Sequence, residues 1–278
     1  MYYELQLFSI FFKLKLKITI MNILIYSIIS FFLFLVIAKI SYKLNLVDLP
    51  GKRKIHKKAT AYTGGLAISI TLILSILILD ISDNTLNLIL SISFLICLVG
   101  LIDDKYTLNV GGKLSLQVIP ILYLIIYEKL FLIQIGYYNY FNLELGSFTL
   151  PFTLISVLFL INSFNYFDGL DGSLSSVSIS VLSILYFLLD EKNLEQFILI
   201  LSIPTLIFLF FNFSLFKLPK LFLGDGGSLL LGFIISFLLI YLANKNLVHP
   251  ILLAWSLAIF VYEFLSINII RLKKNIGL

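Results

Sequence analysis

Residues 162–176 read NSFNYFDGLDGSLSS. One apolar run, about 150–163, leads into this polar knot, and a second, about 173–189, leads out of it. The knot sets two carboxylates, Asp168 and Asp171, three residues apart among glycines and asparagines. Ionisable groups beside apolar segments of this kind are expensive at membrane level, and they usually face a cavity, a partner or an ion.

The rest of the chain has the same character. Of its 278 residues, 60% are hydrophobic and 13% charged, and the mean hydropathy is +1.06. A soluble domain carries roughly a quarter of its residues charged, so the composition predicts an integral membrane protein. Crossing a bilayer as a helix takes roughly 17–25 apolar residues. Helices are expected throughout, because an open sheet edge would leave backbone polar groups unsatisfied in hydrocarbon.

Nine segments read as spans, shorter ones being possible where the protein itself covers the helix ends: 22–42, 65–82, 86–102, 114–133, 150–163, 173–189, 195–213, 226–243 and 249–270, of which 150–163 is short and 114–133 is interrupted by Glu128 and Lys129. The expected fold is therefore all-α, a polytopic transmembrane helix bundle of about nine to eleven spans. Residues 21–278 form one membrane domain. Residues 1–20 are an uncertain N-terminal extension, either a weak extra segment or a consequence of start-site choice, since Met21 opens a natural span. A cleavable signal peptide is not expected, because no small-residue cleavage site follows the run.

Basic residues set the orientation. Lys43, Lys52, Arg53, Lys54, Lys57, Lys58, Lys105, Lys113, Lys217, Lys220, Arg271, Lys273 and Lys274 fall in one alternating set of loops and in the tail; the other set holds Lys129, Lys192 and Lys245. The positive-inside rule puts the first set in the cytoplasm, and the knot at 162–176 with it. The net charge of +5 is thus a topology signal, and no nucleic-acid partner is expected. Cys97 is the single cysteine, which rules out a disulfide framework or a cysteine metal site. Tyr137, Tyr138 and Tyr140 in the outward loop suit the membrane–water interface.

Three further polar clusters share the cytoplasmic face: DLPGKRKIHKKATAYTGG (48–65), GLIDDKYTLNVGGKLSLQ (100–117) and FLGDGGSLLLG (222–232). Asp103, Asp104, Asp168, Asp171 and Asp225 abut apolar runs directly. Carboxylates with few histidines and no usable cysteine suit a hard, oxygen-preferring ion, magnesium or else manganese. Glycines beside each aspartate allow close backbone approach, and helix N-termini favour anions. Together with the basic run 52–58, these groups suit a phosphorylated substrate. Taken singly, each cluster also reads as capping aspartates and turn glycines.

The string NSFNYFDGLDGS resembles the N-x-x-N-x-x-D-G-x-D-G signature of the polyprenyl-phosphate N-acetylhexosamine-1-phosphate transferases, the MraY/WecA superfamily of glycosyltransferase family 4. GLIDD, KLSLQ, FLGDGGSLLLG and RKIH…TGGLAI resemble its other motifs in the same order, from about Asp48 to Arg271. The short DD loop and KLSLQ look closer to the WecA-like branch.

The resemblance implies transfer of a sugar-1-phosphate from a UDP-sugar to polyprenyl (undecaprenyl) phosphate, with release of UMP, as an initiating step of cell-envelope polysaccharide synthesis in the inner membrane. It implies magnesium as cofactor, with Asp225, Asp103 and Asp104 at the metal as the catalytic set. It also implies Asn165, Asp168, Asp171, Lys113 and His56 as the substrate-binding set. Membrane lipids would surround the chain, and the family often dimerises. Members continue into a histidine-rich loop, whereas this chain stops at RLKKNIGL. A truncated, non-catalytic paralogue that binds carrier lipid or partners therefore stands as the alternative. A cation-coupled transporter would instead place its carboxylates near the bilayer midplane on broken helices of a repeated fold.

Overall fold

The computed structural model describes residues 2–50, 58–79, 81–138 and 140–274, with side chains from residue 21 onward. His56 lies outside the described residues. Among the described residues ten α-helices carry the fold: α1 (Tyr2–Lys43), α2 (Gly64–Ile78), α3 (Asn84–Tyr106), α4 (Val110–Ile126), α5 (Thr149–Phe167), α6 (Ser173–Leu188), α7 (Lys192–Asn212), α8 (Gly224–Asn244), α9 (Pro250–Ser256) and α10 (Ala258–Lys273). The only strands among the described residues are two short antiparallel pairs in loops. β1 (Val47–Asp48) pairs with β2 (Thr60–Ala61), and β3 (Gln134–Tyr138) with β4 (Phe141–Glu144).

This is an all-α, multi-pass membrane protein. Met21–Lys43, Asn84–Tyr106, Gly146–Phe167, Lys192–Asn212 and Gly224–Asn244 are long and apolar enough to cross a bilayer; α9 with α10 makes a sixth if that pair, bent by 55°, is one span. α2, α4 and α6 are shorter apolar helices. Each of the nine expected segments is helical, with altered bounds. The run 150–163 extends to Phe167, because its polar residues find partners inside the protein: Ser163 Oγ donates to the Phe159 carbonyl (2.8 Å), and Asn162 Nδ2 to the Leu158 carbonyl (2.8 Å). The run 114–133 stops at Ile126, and Lys129 beyond it takes a left-handed φ of 52°. The run 249–270 breaks at Leu257. The tyrosine-rich loop forms the β3–β4 hairpin, tied to the start of α9 by His249 Nε2 on the Tyr137 carbonyl (3.1 Å).

α8 is the axis. Its apolar residues point in all directions and are buried from Gly226 to Ala243, as expected of a helix surrounded by protein. α3, α5 and α2 pack around it. Close approach is set by small residues, which let helix backbones meet in a bilayer. At Gly100 of α3, a Cβ would collide with the main chain of Asp225 and Gly226. α10 lies against α5 through an aromatic seam, Phe260 stacked on Phe164 (3.9 Å between ring centres) and Phe264 edge-on to Phe159 and Tyr166 (5.0 Å each).

Candidate active site

Four helix ends meet at one end of the bundle: the C-termini of α3 and α5 and the N-termini of α4 and α8. Asp103 lies in the last turn of α3, where its Oδ1 accepts from the Leu108 N–H at 2.7 Å. That bond folds the connection to α4 back over the carboxylate. Asn109 then caps α4, accepting from the Gly112 N–H at 2.6 Å, and so places Lys113 in the first turn of a new helix. From there the Lys113 ammonium reaches Asp103 Oδ2 at 2.7 Å, Asp225 Oδ2 at 2.6 Å and Asn165 Oδ1 at 3.4 Å.

α5 contributes on two levels. Asn165 Nδ2 donates to Ser228 Oγ (2.9 Å), which ties α5 to α8. One turn deeper, Asn162 Nδ2 donates to Gln117 Oε1 (2.9 Å), which ties α5 to α4. The asparagines of the N-x-x-N string thus hold the helices that carry Lys113 and Asp225.

The start of α8 is fixed by main-chain bonds. The Phe222 N–H donates to the Ala61 carbonyl (2.8 Å), while the Gly64 and Gly65 N–H groups donate to the carbonyls of Phe222 and Leu223 (2.9 Å each). Gly224 then turns the chain into α8 with φ 72°, and a Cβ there would meet the Tyr62 carbonyl and lie 2.7 Å from Asp104 Oδ2. Both conformation and space demand glycine. Asp104 accepts weakly from the Gly226 N–H (3.5 Å), a carboxylate at the positive end of the helix dipole.

Asp168 and Asp171 occupy the turn from α5 to α6. Asp171 Oδ2 pairs with Lys220 Nζ at 2.6 Å; both side chains are at least a third exposed (43% and 34%), so the pair contributes little to stability. Asp168 faces a cavity of about 920 Å³ whose wall carries Asp48, Asp104, Asp168, Asp171 and Asp225 against Lys105 and Lys220. Burial, then the Asp225 and Asp171 carboxylates, push the Asp168 carboxyl up to about 7. Burial and then Asp104 raise the Tyr62 hydroxyl, which also lines the cavity.

The structure therefore brings Asp103, Asp225, Lys113 and Asn165 into direct contact, sets Asp104 and Asp168 beside them, and places Asp171 at the rim. The carboxylates lie at one end of the bundle, the arrangement expected of the transferase reading. Ser228, Tyr62, Asn212, Phe222 and Lys220 join the site without having been picked out individually. Lys220 had read only as an orientation charge; the signal that could have found it is its place two residues before Phe222 in the motif.

Among the described residues, no three His, Cys, Asp or Glu side chains converge closely enough to hold a metal by themselves. The donor chemistry nonetheless fits magnesium, which is usually held by one or two carboxylates with water and substrate phosphate completing the shell. Asp103, Asp225 and Asn165 already turn three oxygens onto one positive charge, the Lys113 ammonium.

Known proteins match the chain along most of its length. It is 27% identical over 271 residues to the undecaprenyl-phosphate alpha-N-acetylglucosaminyl 1-phosphate transferase of Escherichia coli K12, covering 92% of this chain and 74% of that protein. The Yersinia pestis protein of the same name is 28% identical over 268 residues (94% and 73%). A probable undecaprenyl-phosphate N-acetylglucosaminyl 1-phosphate transferase of Bacillus subtilis is 31% identical over 208 residues (73% and 57%). Residues 86–243, which hold the aspartates, asparagines and lysine of the cluster, match the glycosyl transferase family 4 profile, and the chain belongs to that family.

Proposed function

We propose that the protein transfers an N-acetylhexosamine 1-phosphate from a UDP-sugar to undecaprenyl phosphate, and that N-acetylglucosamine is the sugar to test first, because the relatives' names specify it. One observation carries this reading: Lys113 held among Asp103, Asp225 and Asn165 beside a polar cavity at the end of an apolar bundle. Transfer between a lipid phosphate and a soluble nucleotide needs such a place, open to water and level with lipid headgroups. We further propose that α2, α4, α6 and the α9–α10 pair complete nine crossings, and that the cavity faces the cytoplasm across the inner membrane, as the basic loops require.

In the reaction a phosphate oxygen of the carrier attacks the sugar-bearing phosphorus of the donor. The bond to the bridging oxygen breaks, UMP leaves, and a sugar diphosphate lipid remains. The carrier phosphate is already largely ionised near neutral pH, since a phosphate monoester has a second pKa of about 6. Asp103 therefore acts chiefly by position. It holds Lys113 at the end of α4, and Lys113 supplies positive charge where phosphate oxygens gather. Magnesium held by Asp225 and Asp103, with Asp104 beside them, would neutralise the donor diphosphate and stabilise the leaving UMP. Asp168 and Asp171 bound the part of the cavity that would receive the nucleotide sugar.

The test is UMP release from membranes given undecaprenyl phosphate, magnesium and a panel of UDP-sugars. Release that requires carrier, metal and Asp225 supports the transferase and names its donor. No release from well-inserted protein would point to a binding-only relative.

A further inference from the structure

The Lys113 ammonium occupies the position between the carboxylates on which a metal site would be centred. It touches Asp103 Oδ2 and Asp225 Oδ2 at 2.7 and 2.6 Å, with Asn165 Oδ1 at 3.4 Å. Lys113 and Asp103 are only 14% and 13% exposed, against 32% for Asp225. A cation therefore enters from the Asp225 side, where the cavity lies, and meets the lysine there.

We propose that Lys113 is a resident cation that divalent metal displaces. The ammonium and the metal ion take turns on Asp103 and Asp225, and the displaced lysine moves to the substrate phosphates. This rests on the metal site of the proposed function but goes beyond it by making one side chain both placeholder and reagent.

The physical grounds are three. Two carboxylates brought this close without a cation between them repel, and each raises the cost of ionising the other. A charge whose partner is removed from a poorly solvated site is strongly destabilising, so the metal-free protein needs an internal cation. Lysine is suited to alternate, being a compact point charge on a flexible four-carbon stem. Asn165 already offers Lys113 a third oxygen on the α5 side, and the Asn165 amide is fixed from behind by Ser228. The apparent metal affinity then equals the intrinsic affinity multiplied by the fraction of molecules in which the lysine has left. Exchange of one charge for two also releases Lys113 only when metal is present, which links metal occupancy to phosphate capture.

The test is Mn²⁺ binding to purified, metal-free protein, read from the loss of the free-ion EPR signal, for wild type, Lys113→Gln, Lys113→Arg and Asp225→Asn. Displacement predicts that Lys113→Gln binds Mn²⁺ at least tenfold more tightly. Lys113→Arg, which keeps a bulkier cation in place, should bind no more tightly than wild type. A parallel readout is acetylation of Lys113 by acetic anhydride, followed by mass spectrometry; Mn²⁺ should increase labelling of wild type severalfold and leave labelling unchanged in Asp225→Asn. If Lys113→Gln does not fold, labelling of wild type decides alone. Unchanged or weaker Mn²⁺ binding in Lys113→Gln, or labelling that metal suppresses, overturns the displacement while leaving the metal site intact. Equal binding by wild type and Asp225→Asn overturns the metal site itself, and the displacement with it.

Discussion

Helices α5 and α8 bound two cavities of opposite chemistry. At one end they contribute Asn165, Asp168 and Asp225 to the polar cavity of about 920 Å³. At the other, Phe152, Leu160, Leu239 and Ile240 from the same helices meet Trp255 and Tyr262 around an apolar cavity of about 670 Å³. The scaffold is shared, so chemistry is set by which turn of a helix reaches the membrane boundary. A carboxylate there is costly and must have a use or a partner. An apolar side chain in hydrocarbon is unremarkable wherever it sits.

That asymmetry orders the expected effects of substitution. The largest should come from the polar end. Asp225→Asn should lower transfer by about 10²–10³-fold, the scale of losing a preorganised electrostatic contact, while the protein inserts and purifies normally. Retained turnover in that variant would erase the functional distinction between the two cavities. Next comes the α3–α8 contact beside that end. Gly100→Val puts a branched side chain into the α8 backbone, and overpacking of this kind costs about 1–3 kcal/mol or more; thermal unfolding in detergent should drop, and activity with it.

A pH experiment sharpens the same comparison. The Asp168 carboxyl sits at about 7 in the folded protein, against about 3.9 for a free aspartate. Its raised value means that stability is highest at low pH and is lost as pH rises from about 4 to about 7. In metal-free protein, Asp168→Asn removes this loss, so its melting temperature should gain on wild type through that window and hold a constant lead above it. A lead that does not change with pH would mean that Asp168 is solvated.

Substitutions at the apolar end should be mild. His249→Ala removes the cap on the Ile251 N–H (3.3 Å) and the link to Tyr137, at a cost of about 1 kcal/mol, with transfer nearly unchanged. Smallest of all, Ser236→Ala deletes a buried hydroxyl without a partner among the described residues in the wall of the apolar cavity. Its melting temperature should stay level or rise slightly, because an unsatisfied polar group costs more than it contributes.

The same contrast governs what could be read from sequence. Asp103, Asp104, Asp168, Asp171 and Asp225 stood out against apolar runs, and Lys113 and Asn165 came with the motifs; all seven lie at one end of the fold. The apolar cavity left no trace, because Leu239 facing a groove and Leu239 facing lipid look alike in a sequence. Helix ends are hard to read even where the chain supplies charge: the expected run 114–133 ends at Ile126, ahead of Glu128 and Lys129. α5 runs past the expected end because Asn162 and Ser163, which resemble a boundary in the sequence, have their hydrogen bonds met by a neighbour and by the helix itself. The break at Leu257 carries no glycine, proline or charge of its own; beyond it α10 lies against α5 through the Phe260 and Phe264 rings. The β3–β4 hairpin reads as a loop in the sequence because its residues, tyrosine above all, suit an interface as well as a strand.

Burial of α8 on every side has a consequence for biogenesis. α8 is synthesised after α2, α3 and α5, the helices that surround it, so it must leave the translocation machinery into lipid and then exchange lipid for protein on all faces. Helix association inside a bilayer is a second stage that follows insertion. Asp225 reaches Asp103 and Lys113 only when that exchange is complete. Until then the nascent chain holds an unfilled slot and a lysine that lacks its Asp225 partner and has only Asp103 and Asn165, which makes arrival of this one segment the step at which an inserted polypeptide becomes a potential enzyme, and the stage at which quality-control proteases would distinguish finished molecules from stalled ones.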